Sequence, residues 1–179
     1  MIRCFIAIDF PREIMEEIER VQKELKGKKN WQGKLTETEN IHLTLKFLGE
    51  IDEKKVEIVK KRLHEIRFPR FNSYIGNLGV FTPAEIKIVW IHIIGEELIG
   101  LQKWIDEMLW DLFPKEKRFM SHLTIARVKK VKDTKLFLEE LGKIKTQNLK
   151  IKINDFYLFE SKLKPTGPEY VELEKFRLM

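Results

Sequence analysis

The chain has 179 residues, of which 43% are hydrophobic and 35% are charged, a composition that describes a globular protein and excludes a disordered chain. It contains no run of eighteen apolar residues, so none of its segments is expected to cross a membrane. The 34 lysines and arginines outnumber the 28 aspartates and glutamates, and the resulting net charge of +6 favours partners that carry phosphate groups.

The spacing of apolar residues predicts strands that alternate with helices along the whole chain. Apolar residues at every second position mark strands, and apolar residues three and four apart mark helices. The resulting order favours the α+β class with largely antiparallel sheets. Strands are predicted at residues 2–10, 41–49, 71–81, 87–94, 121–128, 148–159 and 170–179, helices at 11–27, 52–66, 96–113 and 133–142, and a polar connection with one short strand at 31–40.

Cys4 is the single cysteine of the chain and falls in the first predicted strand. It has no partner for an internal disulfide, which is typical of a protein in a reducing cytoplasm. An apolar strand raises the pKa of a thiol, so Cys4 is not expected to act as a nucleophile. The opening residues do not resemble a signal peptide, and we expect a cytoplasmic location with no membrane partner.

One sequence pattern occurs twice. The two copies are I-H-L-T-L-K-F-L-G at residues 41–49 and S-H-L-T-I-A-R-V at residues 121–128. On an extended strand His42 and Thr44 lie on one face and the leucines on the other, and His122 and Thr124 repeat this arrangement. A single His-x-Thr is more often structural than functional, but two copies indicate an internal duplication that brings two equivalent histidines to one cleft.

The duplication predicts that residues 1–179 form a single two-lobed domain, with one His-x-Thr box contributed by each half. No linker rich in Gly, Ser or Pro divides the halves. The other two histidines receive structural interpretations: His64 as a surface residue of a lysine-rich helix, and His92 as a strand residue or a wall of the cleft. Trp104 and Trp110, which flank the apolar stripe of the third helix, are interpreted as core residues.

Two facing imidazoles can perform concerted general acid–base catalysis, because near their ordinary pKa of about 6.5 one can be neutral while the other is protonated. In-line displacement at phosphorus separates the attacking and leaving oxygens, so the two histidines must come from opposite walls of a cleft. The hydroxyls of Thr44 and Thr124 can bind non-bridging phosphoryl oxygens. The sequence offers no closely spaced set of zinc ligands, no glycine-rich phosphate loop and no GxSxG elbow, so a phosphodiester reaction without metal or cofactor is the best interpretation.

The two boxes, with the opening F-I-A-I-D-F-P and the closing F-E-S-K-L-K-P-T-G-P-E-Y, resemble the two-histidine phosphoesterase superfamily, and within it the RNA 2′,3′-cyclic phosphodiesterases, also called 2′-5′ RNA ligases. The likeness covers almost the whole chain. It implies a bilobal α+β fold, a pseudo-twofold duplication with two largely antiparallel sheets flanked by helices around a central cleft. It also implies hydrolysis of RNA 2′,3′-cyclic phosphate ends to 2′-phosphomonoesters, with weak reverse 2′-5′ ligation and no required metal.

The resemblance further implies the partners and the roles of the boxes. The substrate is an RNA end, tRNA fragments among the candidates, or a small cyclic nucleotide, and we expect a monomer. His42 is implied to donate a proton to the leaving oxygen and His122 to accept one from water. Thr44 and Thr124 are implied to hold the phosphate.

Arg127 and Phe47 each lie five residues after a histidine. The resemblance implies that Arg127 adds charge near the phosphate or stacks on the base, and that Phe47 binds the base. On an unbroken strand an odd spacing turns both side chains away from the histidines, so each strand must bend, bulge or end for them to line the cleft. Otherwise Phe47 is a core residue and Arg127 a surface cation.

Two other functions fit the same pattern. The first is a non-catalytic nucleotide- or RNA-binding module of the same fold, whose histidines only bind phosphate. The second is a broader phosphodiesterase that acts on small cyclic nucleotides or 2′-5′ oligoadenylates. Intact histidines in both boxes favour an enzyme, because a binding module needs no second proton-transfer group.

Overall fold

The computed structural model describes residues 1–165 and 167–179. The strands are β1 Ile2–Ile8, β2 Trp31–Leu35, β3 Leu43–Ile51, β4 Phe71–Val80, β5 Ile88–Ile94, β6 His122–Val131, β7 Lys150–Ile153, β8 Asp155–Lys164 and β9 Gly167–Arg177. The helices are α1 Arg12–Lys26, α2 Glu53–Leu63, α3 Glu96–Met108 and α4 Thr134–Lys143, with a 3-10 turn at Thr38–Asn40.

These strands form two sheets. Sheet A has four strands in the order β3-β1-β8-β9, and sheet B has five in the order β2-β6-β5-β4-β7. Every strand pairing found among the described residues is antiparallel. The predicted α+β class, with two antiparallel sheets and flanking helices, is therefore confirmed.

The two halves of the chain exchange elements. Strand β2 comes from the first half but pairs with β6 in sheet B, whereas β8 and β9 come from the second half and extend sheet A from β1. Helix α1 contacts β6, and the side chain of Gln22 reaches the carbonyl of Ile125 there. Helix α3 contacts β3. Each histidine box is therefore supported by a helix from the other half of the chain.

Residues 148–159, predicted as one strand, belong to two sheets. Strand β7 pairs with β4 in sheet B and β8 pairs with β1 in sheet A, and Asn154 lies between them. The buried side chains fall at Ile151 and Ile153 before this break and at Phe156 after it. The alternation of apolar residues slips by one position at Asn154, and this slip is the signal that a single-strand prediction overlooks.

Helix α3 ends at Met108 and not at Phe113 as predicted. Leu109 leaves the helical conformation, with a φ of −116°. Trp104 and Trp110 are 49% and 67% exposed, so the prediction that they are core residues is wrong. Leu98, Leu101 and Ile105 already fill the side of the helix that packs on the sheet, which leaves Trp104 to the solvent, and Trp110 lies beyond the end of the helix.

Strand β1 lies at the centre of sheet A and is buried on both faces. Cys4, Ile6 and Ile8 alternate along one face and are each no more than 1% exposed. Phe5 lies on the opposite face and is 2% exposed, because its ring packs against the imidazole of His42 at a centroid distance of 4.7 Å. The face of sheet A that carries His42 is thus lined by aromatic rings.

Candidate active site

The two histidines are anchored in the same way. The ring Nδ1 of His42 lies 2.9 Å from the carbonyl oxygen of Asn40, and the Nδ1 of His122 lies 2.8 Å from that of Met120. A carbonyl oxygen can only accept a hydrogen bond, so each Nδ1 carries the proton. In the neutral ring this leaves Nε2 with a free lone pair, which is the atom that can exchange a proton with a substrate.

Strand β3 gains one residue relative to its neighbour inside the first box. Ala7 pairs with Thr44 and Ile6 pairs with Lys46, so Leu45 has no partner of its own in β1. Leu45 and Lys46 are both buried, at 1% and 3% exposure. This is a strand bulge, and it reverses the alternation of side chains beyond it.

Strand β6 carries the equivalent irregularity inside the second box. Trp90 pairs with Thr124 and Val89 pairs with Ala126, so Ile125 is the extra residue. Ile125 and Ala126 are again both fully buried. The duplication therefore extends to the bulge as well as to the His-x-Thr sequence.

The bulges turn Phe47 and Arg127 to the side of their strands that carries the histidines. Phe47 is 68% exposed while the next residue, Leu48, is 7% exposed. Arg127 is likewise exposed and followed by a buried residue, Val128. The alternative interpretation of Phe47 as a core residue is wrong.

His42 lies among aromatic rings. Besides Phe5, the ring of Tyr170 meets its imidazole edge-on, at a centroid distance of 4.9 Å and an interplanar angle of 89°. Burial lowers the pKa of His42 to about 4; the hydrogen bond to Asn40 opposes this shift and the nearby charge of His122 adds to it. The effect of His122 on the pKa of His42 places the two imidazoles within electrostatic range of each other.

His122 has a similar environment on sheet B. The ring of Phe81 packs edge-on against it at 4.9 Å, and His92 lies directly opposite on β5. Burial lowers the pKa of His122, the hydrogen bond to Met120 opposes the shift, and the charge of His92 reinforces it. His92 therefore borders the second histidine, as the cleft-wall interpretation expects, whereas His64 is exposed on the surface as predicted.

The two threonines and Arg127 complete the polar groups near the histidines. Thr44 and Thr124 are half-buried, two residues beyond their histidines and before the bulges. Arg127 lies close enough to Tyr170 for its charge to lower the pKa of that phenol, although burial has the larger, opposite effect. The guanidinium of Arg127 on sheet B is thus within electrostatic range of Tyr170, one of the rings that surround His42 on sheet A.

Tyr170 is the site residue that the motif pattern does not identify. It lies on β9 and contacts both His42 and Phe5, each at a ring distance of 4.9 Å. The signal that could have located it is the closing segment F-E-S-K-L-K-P-T-G-P-E-Y, of which it is the last residue. Position 166 of that segment lies outside the described residues.

Other candidate chemistry is not assembled elsewhere in the described chain. Residues 1–165 and 167–179 contain no cluster of three or more His, Cys, Asp or Glu side chains arranged to hold a metal ion. Cys4 is buried, and burial raises its pKa to about 11, in agreement with its expected lack of nucleophilic character. Of the helices described, none combines the length and apolarity needed to span a bilayer.

The fold and the paired histidine boxes define a two-histidine phosphoesterase. The chain belongs to the LigT-like phosphoesterase family, whose sequence model matches residues 8–90 and 93–170. The resemblance found in the sequence is therefore confirmed.

Similar proteins cover the full chain. It is 34% identical over 178 residues to the RNA 2′,3′-cyclic phosphodiesterase of Methanocaldococcus jannaschii, spanning 98% of this chain and 100% of that one. It is 35% identical over 179 residues to the protein of the same name from Archaeoglobus fulgidus, spanning 98% and 99%.

Solved structures share the fold. A Thermus thermophilus structure has a TM-score of 0.82 at 25% identity, covering 98% of this chain and 97% of that one. Escherichia coli LigT in complex with 3′-AMP has a TM-score of 0.76 at 23% identity, covering 99% and 98%. The second similarity supports the fold alone.

Proposed function

We propose that the protein hydrolyses RNA 2′,3′-cyclic phosphate ends to 2′-phosphomonoesters by acid–base catalysis between His42 and His122, without a metal. The observation that carries this proposal is the matched anchoring of the two rings: each has Nδ1 on a backbone carbonyl, and among residues 1–165 and 167–179 neither Nε2 has a hydrogen-bond partner. One anchored imidazole is enough to bind a phosphate, but two are needed to take and give a proton in one step. The names of the relatives from two archaea support the choice of substrate.

In the proposed reaction, water attacks the phosphorus of the cyclic phosphate. Nε2 of His122 accepts a proton from this water as the new P–O bond forms. The bond between phosphorus and the 3′ oxygen breaks, and Nε2 of His42 donates its proton to that oxygen. The products are a 2′-phosphomonoester and a 3′-hydroxyl, with His42 neutral and His122 protonated until solvent exchange restores them.

The donor role requires a protonated His42, although its pKa in the free protein is about 4. A bound phosphodiester carries one negative charge, and an opposite charge within a few ångströms raises the pKa of an imidazole. The proposal therefore couples protonation of His42 to substrate binding. In the free protein at neutral pH both imidazoles are neutral. Binding of the anion raises the pKa of His42, which then takes up from solvent the proton that it donates to the leaving oxygen.

The remaining residues near the histidines have proposed binding roles. The hydroxyls of Thr44 and Thr124 bind non-bridging oxygens of the phosphate, because each stands beside its histidine on the same face. Arg127 adds positive charge to the phosphate site, and its influence on Tyr170 supports a location at the cleft. Phe47, which is 68% exposed, offers its ring for stacking on the base.

The proposal extends to the form and setting of the protein. We infer that residues 1–179 act as one two-lobed domain, since β2 and the β8–β9 pair each cross between the halves. We also propose that the protein is a monomer. The free, buried thiol of Cys4 supports a cytoplasmic location. A 5′-hydroxyl in place of water would yield a 2′-5′ linkage by the same step, as a weak side reaction.

The test is incubation with adenosine 2′,3′-cyclic phosphate in excess chelator, followed by separation of 2′-AMP from 3′-AMP. The proposal predicts 2′-AMP as the only product. Formation of 3′-AMP would contradict the assignment of the leaving oxygen. Binding of the cyclic nucleotide without turnover would favour the non-catalytic module.

A further inference from the structure

Two buried hydrogen-bond networks connect each histidine box to the segment that leads into the other box. The first is centred on Gln22 of α1, which is 5% exposed. Its Nε2 donates to the carbonyl of Thr36 and to the carbonyl of Ile125, both at 2.8 Å, and the backbone N–H of Thr36 also donates to Ile125 at 3.0 Å. Thr36 precedes His42, and Ile125 is the extra residue of the bulge after His122. We call this network the Gln22 brace.

The second network is centred on Lys46 and Asp106, which are 3% and 5% exposed. Lys46 follows the extra residue of the β3 bulge and donates to Asp106 and, at 2.7 Å, to the carbonyl of Pro114. Asp106 also accepts from the side chain of Gln102 at 2.7 Å and from the backbone N–H of Glu116 at 2.9 Å. Pro114 and Glu116 lie in the segment that leads into His122. We call this network the Lys46 brace.

The two braces have matching parts. Each uses a buried glutamine from the helix that packs on the opposite sheet, Gln22 in α1 and Gln102 in α3. Each begins at a box bulge and ends at the loop before the other histidine. Burial opposes ionisation of Asp106, but hydrogen bonds from Lys46, Gln102 and Glu116 lower its pKa, so it stays charged opposite Lys46.

We propose that Gln22, Lys46 and Asp106 are positioning residues, which fix the separation and orientation of His42 and His122 for in-line proton transfer. The inference rests on the proposed function. Neither brace contacts the imidazoles, but each ties one box to the backbone that carries the other. Misplacement of reacting groups by about 1 Å can lower a rate about a hundredfold, so rigid support of this kind has a kinetic effect that exceeds its effect on binding.

If these residues had only a structural role, their substitution would lower stability without lowering kcat. Loss of a buried network lowers stability whether or not it positions the histidines, so stability alone does not separate the two. The discriminating quantity is kcat measured well below the unfolding temperature. Glu17 supplies the matched control: it is also 5% exposed, and accepts from Arg20 at 2.8 Å and from the backbone N–H of Gln147 at 2.7 Å, away from both boxes.

The experiment compares Gln22→Met, the double variant Lys46→Met with Asp106→Leu, and Glu17→Gln. The double variant removes both charges, so no unpaired charge is left buried. For each protein, kcat and KM are measured on adenosine 2′,3′-cyclic phosphate across pH. The brace variants are expected to lose about ten- to a hundredfold in kcat with KM within about threefold. Glu17→Gln is expected to keep kcat within about twofold.

The inference would be overturned if the brace variants fold and retain the wild-type kcat. It would also be overturned if Glu17→Gln loses as much kcat as the brace variants do. Should one brace variant fail to fold, the other decides the question. A wild-type protein without turnover contradicts the proposed function instead. In that case the positioning role is tested by measuring the imidazole pKa values of His42 and His122 by NMR. The positioning role is rejected if Gln22→Met leaves both pKa values unchanged.

Discussion

Phe47 and Arg127 occupy equivalent positions in the two histidine strands, each five residues after its histidine and each beyond a bulge of one residue. The repeated backbone thus carries two different side chains, an aromatic ring and a guanidinium, at equivalent positions of the proposed site. Both groups have a flat face on which a nucleobase can stack, and only Arg127 carries charge. Substitution of Phe47 should therefore weaken binding of the base, and substitution of Arg127 should weaken binding of the phosphate.

Replacement of Phe47 by alanine should weaken substrate binding with little change in stability. The ring is 68% exposed, so its loss leaves no cavity in the core. Loss of a stacking ring is worth about 1–3 kcal/mol per base, and we expect KM to rise by about five- to a hundredfold with kcat nearly unchanged. Steady-state kinetics check this, with Trp110→Ala, which removes a ring that is 67% exposed, as control. Equal KM values for wild type and Phe47→Ala would contradict the base-binding role.

Replacement of Arg127 by methionine should weaken binding of the phosphate. A hydrogen bond to a charged group contributes about 1.5–3 kcal/mol, so an increase of about ten- to a hundredfold in KM is expected. The salt dependence of binding to an oligonucleotide should also become shallower, because one phosphate contact is lost. Lys129→Met removes an exposed cation two residues further on and serves as control. If both variants behave alike, Arg127 is a general surface charge.

Acidification should destabilise the protein through the two buried histidines. The unfolded chain takes up a proton on His42 near pH 6.5, whereas the folded chain does so near pH 4. Between these values the unfolded state binds more protons than the folded state. The contribution of neutral His42 to the free energy of unfolding is therefore fully present above about pH 6.5 and is lost as the pH drops towards 4. The shift of His42 corresponds to a loss on the order of 3 kcal/mol.

Urea unfolding of His42→Gln from pH 7 to pH 4 measures this effect. The variant should lose less stability on acidification than the wild type, and His122→Gln should behave in the same direction, since burial also lowers the pKa of His122. His64→Gln, which changes an exposed histidine, is the control. Parallel pH curves for wild type and His42→Gln would show that His42 titrates alike in both states.

Removal of the Tyr170 ring should raise the pKa of His42. Burial is the main cause of the low value, and the ring of Tyr170 lies edge-on against the imidazole at 4.9 Å. In Tyr170→Ala, water reaches the imidazole, so its pKa should move from about 4 towards the ordinary value, 6.5. Tyr170→Phe keeps the ring and should leave the pKa near the wild-type value. NMR titration of the imidazole signals distinguishes these outcomes, and a wild-type pKa in Tyr170→Ala would contradict the shielding role.

The sequence predicts the elements of this fold better than it predicts how the halves exchange them. Local periodicity locates the strands, because side-chain alternation is a property of each segment alone. The pairing of β2 with β6 and the passage of the chain between sheets at Asn154 depend on contacts between distant segments. The periodicity of a single segment does not report those contacts.

The sequence likewise predicts only part of the candidate site. The two histidines and threonines follow from a repeated motif, whereas the bulges at Leu45 and Ile125 leave no mark on composition and decide where Phe47 and Arg127 point. Tyr170 reaches His42 from a strand near the end of the chain, a contact that tertiary structure alone creates.

The most direct test of catalysis by His42 and His122 replaces each histidine in turn. Single-turnover rates are measured for the wild type, His42→Ala and His122→Ala on an RNA oligonucleotide with a 2′,3′-cyclic phosphate end, together with the affinity for 2′-AMP. His64→Ala serves as control. We expect His42→Ala and His122→Ala each to lose about a hundredfold or more in rate while still binding 2′-AMP. A rate close to that of the wild type in either His42→Ala or His122→Ala would contradict acid–base catalysis by the two histidines.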